Sequence, residues 1–158
     1  MMRGIKIALF VVLLLLSHGL YGRETKQLSL QEKVAASDLI FVGTVVSVDR
    51  PSSEIAGVGE FATVRIERYL KGRSSPREIS FVTKGFSSEL NPLCCAEGKS
   101  YFFFARDGFD VMEFGESGAF IVRHGREDYV SATNGPYSAY PIENGHVVGW
   151  SKPDADSI

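Results

Sequence analysis

The stretch LIFVGTVVSVD, residues 39–49, narrows the fold more than any other part of the chain. In a strand, successive side chains point to opposite faces. Ile40, Val42, Val46 and Val48 therefore share one face, and Leu39, Phe41 and Val45 share the other. A strand that is apolar on both faces is either buried on both or part of a closed barrel. Gly43 in its middle predicts a bulge or a sharp bend, the device by which barrels close.

More strand-like segments follow. FATVRIERYL (61–70) alternates, with Ala62, Val64, Ile66 and Leu70 inward and Thr63, Arg65 and Glu67 outward. KGRSSP (71–76) turns the chain and REISFVT (77–83) returns it, the pattern of a hairpin. KSYFFFAR (99–106), FDVMEF (109–114), GAFIVR (118–123) and DYVSAT (128–133) continue the series, joined by short turns carrying Gly or Asp. PSSEIAGVGE (51–60) is a loop. A single short helix is expected at 27–37, with Ser29 as N-cap, Glu32 at the capping-box spacing, and Leu30, Val34 and Ala35 as its apolar stripe. Many short strands with one helix point to a small all-β barrel or sandwich.

Residues 1–22 stand apart. Arg3 and Lys6 precede an unbroken apolar run, Ile7–Leu16, and Ser17, Gly19 and Gly22 supply small side chains. That is the layout of a secretory signal peptide, cleaved after Gly19 or Gly22. An uncleaved anchor is the alternative, but ten apolar residues fall short of the roughly 20 that a spanning helix needs. A secreted or periplasmic address follows. The remainder divides into a β-domain at 23–133 and a tail at 134–158. Asn134-Gly135 and Asn144-Gly145 in that tail are turn signals, and Tyr137, Tyr140, Ile142, Val147, Val148 and Trp150 can pack it down. The final SKPDADSI is expected to be disordered. Without Arg3 and Lys6, fifteen of the 17 Lys and Arg remain against 19 Asp and Glu, a net charge of about −4. Nucleic acid and anionic membranes call for clustered positive charge, so neither is an expected partner.

Few residues offer chemistry. Cys94 and Cys95 are the only cysteines and lie side by side. Secreted thiols tend to be oxidised. Consecutive Cα atoms are about 3.8 Å apart across a trans peptide, whereas disulfides prefer about 4.4–6.8 Å. A Cys94–Cys95 bridge is thus expected to be strained and easily reduced, a redox element. An intermolecular bridge, or two thiols on a loop with one packed inward, are the other readings. Zinc held by Cys94, Cys95, His124 and His146 fits by residue type but not by spacing, since structural sites pair their ligands within short loops. Gly115-Glu116-Ser117-Gly118-Ala119 brushes against G-x-S-x-G, yet strand-like sequence flanks it where a nucleophile elbow needs a helix. Gly57-Val58-Gly59-Glu60-Phe61-Ala62 has dinucleotide-loop spacing, but a strand follows where phosphate binding needs a helix N-terminus.

The string Ala36-Ser37-Asp38-Leu39-Ile40-Phe41-Val42-Gly43-Thr44-Val45 resembles the opening of a group of secreted bacterial proteins. So do Val64, Ile66 and Arg68 followed by Lys71-Gly72, Gly98-Lys99-Ser100-Tyr101-Phe102-Phe103-Phe104 and, more loosely, Gly118-Ala119-Phe120. That group is similar to the inhibitor domain of tissue inhibitors of metalloproteinases and to the netrin-like module. The resemblance covers roughly residues 30–123. It implies an all-β fold with one short N-terminal helix, a small OB-like closed or partly open β-barrel. In those inhibitors a mature N-terminal cysteine chelates the protease's zinc. Here neither cleavage leaves a cysteine first, and the family's fixed disulfides are missing, so that mechanism is not expected. Because OB barrels bind ligands on one face, the aromatic run at 101–104 also counts as a candidate site. Alternation sends Phe102 and Phe104 one way and Tyr101 and Phe103 the other. One pair fills the barrel; Tyr101 and Phe103 are the candidate exposed face, unless helix or tail covers it.

The sequence therefore reads as a non-catalytic binding or interaction module with no cofactor or metal, whose partner is a protein or small molecule. An envelope-protease inhibitor that uses another surface is the second reading. A thiol redox protein using Cys94 and Cys95 is the third.

Overall fold

A computed structural model of the chain describes residues 25–52, 57–72, 74, 76–115, 118–124 and 129–149. The segment 1–22, expected to be a signal peptide, Trp150 and the end of the tail lie outside the described residues.

Helix α1 (Leu30–Ala36) begins where the capping box places it. The Glu32 amide donates to Ser29 Oγ at 3.3 Å, and the Ser29 amide donates to Glu32 Oε2 at 2.8 Å. The expected apolar stripe is corrected. Val34 and Ala35 are exposed, and the buried side chain is Lys33, 0% accessible. Lys33 and Ser37 are one turn apart and so point the same way. Lys33 Nζ donates to Tyr140 Oη and lies 4.9 Å from the centroid of that ring. Ser37 Oγ meets Thr133 Oγ1 at 2.8 Å. Polar contacts to the tail and to the strand before it therefore set the helix's rotation. We expect Tyr140→Phe to destabilise the fold by about 1–3 kcal/mol, because the buried Lys33 Nζ loses a hydrogen-bond partner. Urea unfolding measures this, and an unchanged midpoint would contradict it.

Among the described residues nine strands follow: β1 (Leu39–Asp49), β2 (Glu60–Lys71), β3 (Glu78–Lys84), β4 (Ser100–Asp107), β5 (Phe109–Gly115), β6 (Gly118–His124), β7 (Tyr129–Ala132), β8 (Ala139–Glu143) and β9 (His146–Val147). β1 pairs with β2 on one edge and β4 on the other, β2 with β3, β3 with β7, and β7 with β4. These five strands close a ring, antiparallel except at the β3–β7 seam. That seam is short, Ser80↔Tyr129 and Phe81↔Val130, so the ring is tight on one side and partly open on the other. Among the described residues the fold is all-β and OB-like with one short α-helix, and the hairpin expected at 61–83 is the β2–β3 pair.

The two-sided strand has the neighbours its composition demands. Leu39, Phe41 and Val45 point into the ring with Val64, Phe81 and Phe103. Ile40 points out, into a second cluster with Phe104 and Tyr140 beside Leu30 and Val147. Three bulges reset the alternation, and the one at the start of β1 skips Leu70, since Ile40 pairs with Lys71 and Phe41 with Tyr69. Val45 pairs with Val64 and Ser47 with Thr63, so Val46 is skipped, turns to solvent, and Val48 packs against the ring interior instead. Val42 pairs with Arg68 and Gly43 with Ile66, so Glu67 is skipped on β2. Beyond that point Tyr69, not Leu70, faces inward, because a one-residue slip exchanges the faces. Gly43 is required there: a Cβ would stand 2.7 Å from Val64 Cγ1 and 2.8 Å from the Arg65 carbonyl oxygen.

The segment 134–149 is more than a packed tail. β8 pairs with the first half of β4, Tyr101↔Pro141 to Phe103↔Ala139, while β7 takes the second half of the same edge. Asn144 (φ 51°) and Gly145 (φ 78°) form the tight turn into β9, as expected of Asn-Gly. Asn134 is buried; its side chain accepts from the Leu28 amide at 2.8 Å and donates to the Lys26 carbonyl at 3.0 Å, holding the approach to α1.

Candidate functional site

The cysteine pair lies at one end of the ring, on the loop entering β4. The two sulfurs are bonded to each other. Cys95 is buried in the ring cluster, and Cys94 packs partly against it. The loop is pinned on both sides: Tyr101 Oη accepts from the Ala96 amide at 3.0 Å, and Val45 exchanges hydrogen bonds of 2.9 Å with Gly98 and Lys99. In this setting the pair is part of the interior packing. The aromatic expectation is corrected. Tyr101 and Phe103 are buried at 6% and 0%, and they fill the ring rather than lining an open face. They face inward because their β1 partners, Gly43 and Phe41, do so too. Phe102 and Phe104 form the outward pair, and α1 and β8 cover them.

Among the described residues no group of three or more His, Cys, Asp and Glu side chains could hold a metal. His146 is exposed on β9, and His124 closes β6 opposite Phe109. Gly115 and Gly118 face each other across the β5–β6 hairpin, so strands flank that segment on both sides; Glu116 and Ser117 lie outside the described residues. After Gly57 and Gly59 comes β2, not a helix.

The hairpin over 109–123 is where the sequence places strands joined by a short turn; what sequence reasoning missed is that it stands apart from the ring. β5 and β6 form their own two-stranded sheet, inserted between β4 and β7. Its base is anchored: Phe109 and Val111 pack with Val58, Val82 and Tyr129 in a separate small cluster. Arg123 adds a polar clamp, with Nη1 3.0 Å from Asp110 Oδ1 and Nη2 donating to the carbonyls of Asp107 and Gly108. The far half carries large apolar side chains into water: Met112 (41% exposed), Phe114 (79%), Phe120 (47%) and Ile121 (62%). Met112 and Ile121 are direct cross-strand partners, so with Phe114 they share one face. Alternating FDVMEF and GAFIVR carried the signal, since both faces were apolar, but only the three-dimensional position left one of them bare.

At the foot of the hairpin is a cleft of about 80 Å³. Its walls are Val82, Phe86, Leu90 and Phe109, and its polar lining includes Ser87, Asn91, Arg106, Asp110, Ser131 and Thr133. Asn91 is fixed by accepting from the Gly85 amide at 2.8 Å. Close by, Glu60 is held below the ordinary carboxylate range by its hydrogen bond to Lys84, 2.6 Å away. A wider groove runs along Arg65, Arg68, Arg77 and Glu78, but it is an open strand end of mixed charge, with Arg65 opposite Glu78 in the ladder.

No protein-family model matches the chain, and no curated protein matches it closely enough to name a relative. The functional reading therefore stands on the geometry.

Proposed function

We propose that the protein is a secreted or periplasmic, non-catalytic interaction module, and that the β5–β6 hairpin with the cleft at its foot is its contact surface. The observation that carries this reading is the bare apolar face of Met112, Phe114 and Ile121 on a hairpin whose base is firmly rooted. An exposed patch of large apolar side chains rimmed by charge marks a contact site far more often than it marks idle surface. Here the charged border is the Asp110–Arg123 pair, below the apolar side chains on the same face. A two-stranded sheet standing alone is marginal in water and gains from a third layer or strand. The occupant we assign is a protein segment with apolar side chains, laid against this face. The apolar run at 7–16 supports the address, and the motifs at 36–45 and 98–104 keep the likeness to the netrin-like module as a proposal about ancestry, not about chemistry.

Phe114→Lys combined with Ile121→Lys tests it. Both side chains are exposed, so the fold should keep its stability within about 0.5 kcal/mol. The wild-type protein, crosslinked mildly in envelope extract, is expected to yield a discrete adduct that the double variant loses. If the adduct is a second copy of this chain, or if both proteins give the same adducts, the assignment of the face to a different protein is wrong.

A further inference from the structure

We propose that the cleft at the hairpin's foot receives a carboxylate attached to a small apolar group, with Arg106 as the carboxylate's partner. The inference rests on the reading of the protein as a binding module and names the chemistry of its ligand.

Arg106 sits near the end of β4, opposite Ser131 of β7, so its backbone is held by the ring. Its neighbour Ala105 is fully buried inside, which sends the Arg106 side chain outward to the cleft it lines. Its guanidinium makes no hydrogen bond or ion pair with any described residue, although the residue is only partly exposed. The nearby guanidinium of Arg123 differs: it is committed to Asp110, to two backbone carbonyls and, at 3.4 Å, to Ser131 Oγ. Among the described residues of the lining, the one carboxylate, that of Asp110, is therefore already matched, and one positive charge is left unmatched.

A guanidinium offers two parallel N–H groups that fit a carboxylate in bidentate fashion. The hydroxyls of Ser87 and Ser131 are in the same lining and can satisfy the remaining lone pairs. The rest of the wall is apolar, from Phe86, Leu90 and Phe109. A space of about 80 Å³ holds roughly five to eight water-sized positions, the bulk of a carboxylate together with about three or four carbons. Nucleotides and sugars exceed it, and a cation meets the wrong charge. The same chemistry comes from two sources: a free short-chain acid, or the last residue of a peptide.

The test uses the leader-free chain, labelled with ¹⁵N. The probes are isovalerate, the tripeptide acetyl-Gly-Gly-Val with a free carboxyl end, and the same tripeptide as its terminal amide. Saturable shifts are expected at the amides of Asn91, Arg106 and Ser131, with a Kd on the order of 1 mM. Arg106→Gln should weaken binding about tenfold or more, and Arg106→Lys should weaken it less. Leu90→Trp, which fills the mouth from an exposed position, should also abolish binding, and it keeps the test decisive if Arg106→Gln folds poorly. Tighter binding of the peptide acid than of isovalerate assigns the site to chain ends; equal binding assigns it to free acids. Amide binding as tight as acid binding, no saturable shifts, or full affinity in Arg106→Gln would overturn the proposal. Because the crosslinked adduct depends on Phe114 and Ile121, its survival alongside such a failure would leave the interaction reading standing and remove only the carboxylate.

Discussion

Phe103→Ala is expected to lower the stability of the leader-free protein by about 3–5 kcal/mol, which for a domain of this size moves the thermal midpoint down by about 10–20 °C. Phe103 is fully buried in the ring. Its ring stacks on Phe41 at 4.8 Å between centroids, meets Phe81 edge-on at 4.9 Å, and tilts against Tyr101 at 5.7 Å. These neighbours lie on β1, β3 and β4, which the ring joins through β2 and β7, so the void cannot close by local collapse, and its cost adds to the lost transfer energy. Phe103→Leu keeps most of the volume and should cost less than half as much. A shift below about 3 °C for the alanine variant would place Phe103 outside the core.

The second large effect is at Gly72. This residue follows β2 with φ at +87°, in the left-handed region that side chains disfavour. A Cβ there would stand 2.4 Å from the Asp38 carbonyl oxygen and 2.6 Å from Leu39 Cδ2. The first of these is backbone at the start of β1, so nothing flexible can yield. Next to it, Lys71 Nζ donates to the carbonyls of Val34 and Ser37, at 2.6 Å each, and so caps the end of α1. Gly72 is thus the point at which β2, β1 and the helix meet. We expect Gly72→Ala to cost about 3 kcal/mol or more, the sum of backbone strain and the displacement of β1, and to lower the midpoint by about 10 °C. Gly98 makes the control: it also has positive φ (74°), but a Cβ there would meet nothing within 4 Å, so Gly98→Ala should cost only the conformational part. Equal losses at the two sites would mean that the contact with Asp38 contributes nothing.

Much of this fold was legible because local chemistry and global packing agree. The capping box at Ser29 and Glu32 and the Asn144-Gly145 turn each have a local cause and occur where that cause puts them. The two-sided strand 39–49 required neighbours on both edges, and it has them in β2 and β4. The bulge beside Gly43 falls where a mid-strand glycine predicts one, but the skipped pairings at Val46 and Leu70 were not legible, since no residue type there signals them, and both side chains turned to solvent. Alternation separated Tyr101 and Phe103 from Phe102 and Phe104, but could not say which pair was inside, a matter decided by the register against Gly43 and Phe41. Lys33 was hidden for a different reason: a lysine at an amphipathic boundary is ordinarily solvated, and long-range contacts such as that with Tyr140, 107 residues away, take it inside. Of the candidate site, the apolar strands were visible and their exposure was not, because the sequence does not record that the hairpin stands outside the ring.

The central claim is that β1 lies between two partners in a closed ring. Residue-resolved amide hydrogen exchange on the leader-free protein tests it most directly. A strand hydrogen-bonded on both edges protects consecutive amides, since alternate N–H groups point to opposite neighbours. Uniformly slow exchange through residues 40–44, at the rate of global unfolding, is the predicted result. Slow and fast amides alternating along that segment would mean that one edge is bare and that no ring exists.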